Sequence, residues 1–316
     1  MCLLFAGTTA SADAFLSRDQ NPLLLIHGLP FVASARITPR DSLEWSLSYN
    51  ITNTLNSESN ATESLLLDYE SHELDYSLSI GLAQDWAFRL DIPLIHYGGG
   101  FLDNAIDGWH EAFGLPQANR PNVADNGFHI RYLDNSNTVV DIVDSSSGIG
   151  DIQLGLGRQL HASADHASSV WLTADLPTGN QRELTGSEHT DFILQLASAH
   201  KLHSDWQLDA SLALVVPGDS QLNGVEVADT VWFAHTGLEW NAHRAFALRV
   251  QLNGHTDIYP DSSLKLLGSS YLVVFGGRIH LDDCADFDIA ISEDLKVGAS
   301  PDASFIFSYR QRTGCN

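Results

Sequence analysis

The sequence predicts an all-β protein: a closed antiparallel transmembrane β-barrel of about twelve strands. Three observations predict it. First, the chain repeats a unit of roughly ten residues that alternate apolar and polar and end in a turn, the period-two signature of a half-buried strand. Second, the links between units are short and long by turns, as in outer-membrane barrels, whose short turns face the periplasm. Third, five of the seven tryptophans fall near one end of the strands, where an interfacial aromatic belt would lie.

The bulk composition is compatible with this. The 316 residues are 44% hydrophobic, and none of the apolar runs approaches the roughly 18 residues of a transmembrane helix. A barrel strand needs only about nine to eleven residues, half of them apolar. A formal charge of −24, from 40 acidic and 16 basic residues, argues against a nucleic-acid partner, which needs Lys and Arg for its phosphates. The scarce lysines, Lys201, Lys265 and Lys296, lie near strand ends or in loops.

Residues 1–14 read as the remnant of a signal peptide. Leu3 to Ala6 is apolar, and Ala10-Ser11-Ala12 or Ala12-Asp13-Ala14 suits signal peptidase. No positive region precedes them, which places the true start upstream of Met1. Cys2 would leave with the signal. Cys284 and Cys315 would then remain as an even pair in an oxidising compartment.

Residues 15–41 are apolar in patches but aperiodic, with Pro22, Pro30 and Pro39 spaced through them. They read as a segment lying in the periplasm or in the lumen. The barrel proper is expected over 42–316. Trp45, Leu47, Tyr49 and Ile51 open the alternation, and the polar run from Thr52 to Thr62 reads as a loop. Leu74 to Leu82 and Trp86 to Ile92 form two strands around Gln84-Asp85.

An insert, residues 98–121, then changes the period. Ala105, Ile106, Trp109 and Phe113 share one face of a short helix that Gly114 and Pro116 end. An apolar helix face must be buried, so Ile106, Trp109 and Phe113 are candidates for a lid over the lumen mouth, the outer-leaflet rim being the other site. Residues 128–143 suit a hairpin, which would raise the count to fourteen if it joined the wall. The remaining strands are read at 150–160, 168–178, 189–201, 206–216, 230–241, 245–258, 270–281, 287–296 and 302–312.

Short links at Gln84-Asp85, His161–Ala167, Leu202–Asp205, Ala242–Arg244 and Asp282–Asp286 lie on one side. Longer ones at Thr52–Thr62, Gly98–Gly148, Gly179–Glu188, Pro217–Asp229 and Tyr259–Ser269 lie on the other; Gly298–Pro301 is the short exception. Trp45, Trp86, Trp171 and Trp206 begin strands that rise from the short side, and Trp240 ends one that descends to it. Strict alternation turns Trp171 inward unless a bulge shifts it. Unpaired edges are inadmissible in hydrocarbon, so the sheet must close, apolar faces out and polar faces in.

Four runs, DQNPLLLIHGLP, GGGFLDNAIDGWHEAFGLPQANR, SGIGDIQLGL and ISEDLKVGASPDASFIFSYR, occur in this order. The chain thereby resembles the domain-of-unknown-function 3187 family, proteins of Gram-negative bacteria that look like outer-membrane barrels. WHEAFGLP is the most specific part; GIGD recurs in other barrels. The resemblance implies fold and an outer-membrane location with periplasmic termini, and it carries no catalytic residue over.

The inward faces then hold Glu44, Glu73, Asp75, Asp175 and Asp288, with Arg89, Asp91, Asp209, Arg249 and Arg278 as the lumen-lining candidates. Mixed charge there has two readings, a salt-bridged packed lumen or a polar passage that orients a solute. The histidines near the short turns, His161, His166, His200, His203 and His243, lack zinc-site spacing, so no metal or cofactor is expected. Cys284, in a short turn, and Cys315, in the tail, can pair if geometry allows. Lipid hydrolysis needs Ser and His within reach on the lipid face near the outer leaflet, and no such pair is evident.

The leading expectation is a monomeric passive channel or transporter for a small solute, hydrophobic ones included, rather than an enzyme. The alternatives are a closed structural or interaction barrel with a plugged lumen and, second, a lipid-modifying outer-membrane enzyme. The other expected partners are outer-membrane lipid and lipopolysaccharide.

Overall fold

The computed structural model describes residues 13–102, 108, 127–295, 298, 300–301 and 303–315. Ile106, Trp109 and Phe113 of the expected lid lie outside these described residues. The strands are β1 Leu43–Ser59, β2 Glu63–Ala83, β3 Trp86–Gly98, β4 His129–Asp134, β5 Asn137–Ile142, β6 Ser146–Ile149, β7 Ile152–Ala162, β8 His166–Leu176 and β9 Asp191–His203. They continue as β10 Trp206–Val216, β11 Gln221–Leu222, β12 Val225–Glu226, β13 Val231–His243, β14 Phe246–His255, β15 Ser270–His280, β16 Ala285–Asp294 and β17 Ala303–Arg312. Twelve of them, β1–β3, β7–β10 and β13–β17, form a closed antiparallel barrel. The seam joins β1 to β17 from Glu44↔Arg312 to Asn53↔Ala303.

The sidedness is the reverse of a water-soluble sandwich. On β9, Phe192, Leu194 and Leu196 are about half exposed, whereas Asp191 and Gln195 are buried. On β14, Leu248, Val250 and Leu252 face out while Arg249, Gln251 and Asn253 are buried. Apolar residues outward and polar residues inward is the arrangement hydrocarbon selects.

The aromatic belt is present with one member fewer than the tryptophan positions suggested. Trp206 and Trp240 are cross-strand partners stacked at 5.7 Å, Trp45 packs on Tyr309 at 5.3 Å, and the Arg158 guanidinium lies over Trp86 at 5.4 Å. Trp171 instead points into the lumen, only 4% exposed. Gly157 makes room for it: a Cβ there would come within 2.6 Å of the Trp171 ring.

Two expectations at the loop end are corrected. Residues 52–59 are strand rather than loop, and the β1–β2 turn is confined to Asn60–Thr62. At about 3.3 Å per residue, the 21 residues of β2 reach far beyond the roughly 25 Å apolar band of such barrels. Above that band residues 52–59 are polar on both faces apart from Leu55, so the alternation that marks a strand fades there. Residues 128–143 do form a hairpin, β4–β5, but it hangs on the extension of β2 through Leu65↔Tyr132 and Leu67↔Ile130, outside the twelve-stranded closure. The wall therefore has twelve strands, not fourteen.

The loops after β8, β10 and β14 fold inward. Leu184, Leu222, Val225, Val227, Ile258, Tyr259, Leu264, Leu266 and Leu267 are buried among wall residues such as Ile95, Ile193, Val215 and Phe233. They roof the lumen at this end.

Candidate functional site: an occupied lumen

The lumen is filled by the chain's own N-terminal segment, Asp13 to Thr38. It enters at the short-turn end, where Asp13 meets Arg310 at 2.9 Å, Arg312 at 3.5 Å and, through its carbonyl, Arg278 at 2.8 Å. Burial alone would raise the Asp13 carboxyl, but Arg310, Arg312 and Arg278 together hold it below the ordinary carboxylate range. Asp13 and Ala14, which the sequence places in the leader, thus pack inside the barrel. From there the segment climbs along β14. Phe15 N–H donates to Gln251, Asn253 donates to Ser17, and Asp19 lies 3.4 Å from His255. Each two-residue step on the segment matches one on the strand.

At the top, α1 (Pro22–Leu25) is a single turn opened by Asn21, whose side chain accepts from Leu23 N–H, with Pro22 at the first helical position. Leu23, Leu24, Leu25 and Ile26 pack into the apolar roof, and the Tyr259 hydroxyl donates to the Leu23 carbonyl at 2.7 Å. The chain then reverses at Gly28, whose φ of +66° suits glycine. A Cβ there would also meet Asp191 at 2.9 Å. The descending arm runs past Trp171, whose indole N–H donates to the Ser34 carbonyl at 3.2 Å, and past Gln159, which accepts from Ile37 N–H at 3.0 Å. Thr38 meets Ser79, and Arg40 bridges to Gly81 where β1 begins. The segment is therefore U-shaped, with both ends at the short-turn mouth.

Below the apolar roof the lumen is ionic. Arg18, at the heart of the ascending arm, pairs closely with Glu73, lies 3.8 Å from Asp75, donates to the Leu29 carbonyl at 3.1 Å and sits 4.3 Å over the Phe31 ring. Gln20 adds a 2.7 Å bond to Glu73. On the neighbouring wall Arg89 pairs with Asp91 at 2.8 Å, and Ser77 donates to the same carboxylate. Across the lumen, Asp209 accepts from both Arg249 and His235, at 2.7 and 2.6 Å, and His235 reaches Asn253. Glu239 lies between Arg249 and Arg278, and Arg278 closes on Asp288 at 2.7 Å.

Three of the five lumen-lining residues named from sequence, Asp209, Arg249 and Arg278, thus join into one network through Glu239, which was not named; Arg89 with Asp91 forms a separate pair. Arg249 and Arg278 are among the largest fully buried side chains. Arg18 and Asp13, the anchors of the segment, were not singled out, because an aperiodic stretch offers no parity from which to assign a direction.

Beneath the segment opens a vestibule of about 1080 Å³, lined by Arg36, Glu44, Arg89, Asp286 and Arg312 among others. At its rim the sulfurs of Cys284 and Cys315 are bonded, their Cα atoms 5.6 Å apart. Thr313 N–H donates to the Leu43 carbonyl beside it, so the tail is held against both β1 and the β15–β16 turn. On the outside near the short turns, His161, His166 and His200 stack face to face at 5.1 and 4.1 Å. Among the described residues no set of three or more His, Cys, Asp or Glu is arranged to hold a metal ion.

A closed twelve-stranded antiparallel barrel with an apolar outer band defines a fold class, the transmembrane-type β-barrels. Within it the chain belongs to the family described as "Protein of unknown function (DUF3187)", whose model matches residues 6–313. No curated protein matches it in sequence. Among solved structures it is similar to the COG4313 outer membrane channel from Pseudomonas putida F1, with a TM-score of 0.56 and 12% identity over 87% of this chain and 96% of that one. Less similar are the NanC porin, with a TM-score of 0.47 and 9% identity over 85% and 97%, and the toluene transporter TbuX from Ralstonia pickettii, with 0.43 and 8% over 86% and 90%. At these identities the likeness is one of fold.

Proposed function

We propose that this protein is a passive outer-membrane channel for a small, mainly apolar solute, closed at rest by residues 13–38, with both termini in the periplasm. The observation that carries the reading is the shape of the occupant. A U-shaped segment inside a channel-like barrel is joined to the wall only at one mouth, so it can withdraw without breaking the wall. If it withdrew, Leu23, Leu24, Leu25 and Ile26 would vacate an apolar chamber lined by Leu67, Tyr69, Ile95, Tyr97, Val215 and Phe233. Such a chamber takes an apolar ligand, and the charged lumen below it would orient any polar group the ligand carries.

The filled lumen also favours a second reading, a permanently closed barrel. Planar-bilayer recording separates the two. The channel reading expects brief openings in the intact protein and continuous conductance when residues 13–37 are deleted. It also expects silence when a Ser34→Cys/Ser169→Cys pair locks the segment to β8, where the Ser169 hydroxyl donates to the Ser34 carbonyl at 2.7 Å. If the intact barrel never opens, or the deletion does not conduct, the closed reading stands.

A further inference from the structure

A second constellation lies on the outer wall, away from the lumen. Cross-strand pairing places Ile51, His72, His96 and Ser147 in one outward row across β1, β2, β3 and β6. The row below it is Tyr49, Leu74, Leu94 and Ile149. Leu94 and Ile149 are 49% and 38% exposed and mark the upper edge of the lipid-facing band at this place. The His96–Ser147 row therefore sits one step above hydrocarbon, at the depth where the ester groups of membrane lipids lie.

The Ser147 hydroxyl is 2.7 Å from His96 Nδ1, and the pair is exposed. That is nucleophile-to-base distance. Beside it the His72 ring stands 5.8 Å from His96 and is oriented from two sides: Tyr49 O–H donates to Nδ1 at 2.7 Å, and Nε2 lies 3.0 Å from Glu70. Glu70 is itself fixed. The chain leaving β3 crosses over it, and the Phe101 and Leu102 backbone N–H groups donate to Oε2 at 3.1 and 2.8 Å. Glu70 is completely buried although it lies on the outward face of its strand, so it gives the imidazole pair a fixed support. Gly98 keeps the other side of His96 open, since a Cβ there would come within 3.0 Å of Nε2.

We propose that Ser147 and His96 form a serine acyl-hydrolase site that acts on ester-linked acyl chains at the bilayer surface. Ser147 Oγ attacks the ester carbonyl carbon while its proton passes to His96 Nδ1. The carbon–oxygen bond to the alcohol breaks, and the departing alkoxide takes that proton. Water, deprotonated in turn by His96, cleaves the acyl-serine and releases a fatty acid. The acyl chain lies along Leu94 and Ile149, with the exposed Phe101 at its head. Glu70 and His72 are positioning residues: Glu70, held by the Phe101 and Leu102 amides, fixes the His72 ring, and that ring packs beside His96 and keeps it turned toward Ser147.

This site shares no side chain with the lumen, so it stands or falls independently of the channel reading. The test reconstitutes the full chain in phosphatidylethanolamine–phosphatidylglycerol vesicles, with and without added lipopolysaccharide, and measures fatty-acid release. A fluorophosphonate probe, located by mass spectrometry, reports the nucleophile. We expect release in at least one lipid arm, which identifies the ester source, and probe on Ser147. Ser147→Ala and His96→Ala should lower the rate by about 10²-fold or more, both variants still migrating as folded, heat-modifiable barrels. His72→Ala should lower kcat with KM unchanged, and Glu70→Gln, which keeps the shape that supports His72, should lower kcat less. Absence of both release and labelling in the intact protein, or release undiminished in Ser147→Ala, overturns the proposal.

Discussion

Replacing Arg18 by methionine tests how the lumen is kept closed. Arg18 is the one cation of the ascending arm that faces Glu73 and Asp75, all three at most 7% exposed. Asp75 has no hydrogen-bond donor on either oxygen, and Arg18 lies 3.8 Å from it. Methionine keeps the stem and the packing on Phe31 but leaves the buried Glu73 without its cation. Removing one partner of a buried ion pair costs about 3–5 kcal/mol. Withdrawal of the segment would relieve that cost by admitting water to the carboxylates. At about 1.4 kcal/mol per tenfold, the open-to-closed ratio should rise by roughly two to three and a half orders of magnitude. Single-channel open probability in planar bilayers reads this directly. Adding Glu73→Gln and Asp75→Asn to the Arg18→Met variant should return most of the closure, because neutral amides no longer need the cation. An unchanged open probability in Arg18→Met, or no recovery in the triple variant, would refute the idea that this pairing holds the segment.

Two further outcomes follow from other parts of the molecule. Val250, 51% exposed at the middle of β14, should cost about 2–4 kcal/mol when changed to arginine, the range for a cation at the bilayer midplane; an unmoved urea midpoint for folding into vesicles would contradict a lipid-facing position. His27 lies at the level of the roofing loops, bonded to Tyr259 at 2.8 Å. Burial, aided by His189 and opposed by Asp219, lowers its pKa from 6.5 to about 4. The seated segment thus holds a neutral imidazole that would protonate once released. Its contribution is complete above about pH 6.5, drains as pH falls toward about 4, and amounts to roughly 3 kcal/mol in full. Open probability should therefore rise on acidification through that window, and His27→Asn should flatten the response.

Much of this was legible because a membrane strand has only two directions to point. Parity alone put Arg249, Asp209 and Arg278 inward and Leu248, Val250 and Leu252 outward, and the same parity turned Trp171 inward against the belt that its position suggested. The logic stops where its cause stops. Beyond the hydrocarbon, residues 52–59 keep their strand pairing but lose their apolar face, so they read as a loop. The N-terminal segment is extended and buried on every side, so no alternation tells which of its side chains anchor it. Ser147 escaped notice because β6 is four residues long. Its meeting with His96 depends on a pairing across about fifty intervening residues, which no local pattern in either stretch records.

The shape of the lumen segment has a consequence for assembly. A chain threaded from one mouth to the other would have to be in place before the β1–β17 seam zipped shut, and the wall would trap it. Here the reversal at Gly28 brings both arms back to the same opening, so the segment forms a finger rather than a thread. Topologically it is unlinked from the ring of strands. The wall can be completed first, stapled at Cys284 and Cys315, and filled afterwards, and emptying it asks nothing of the wall except that it let go.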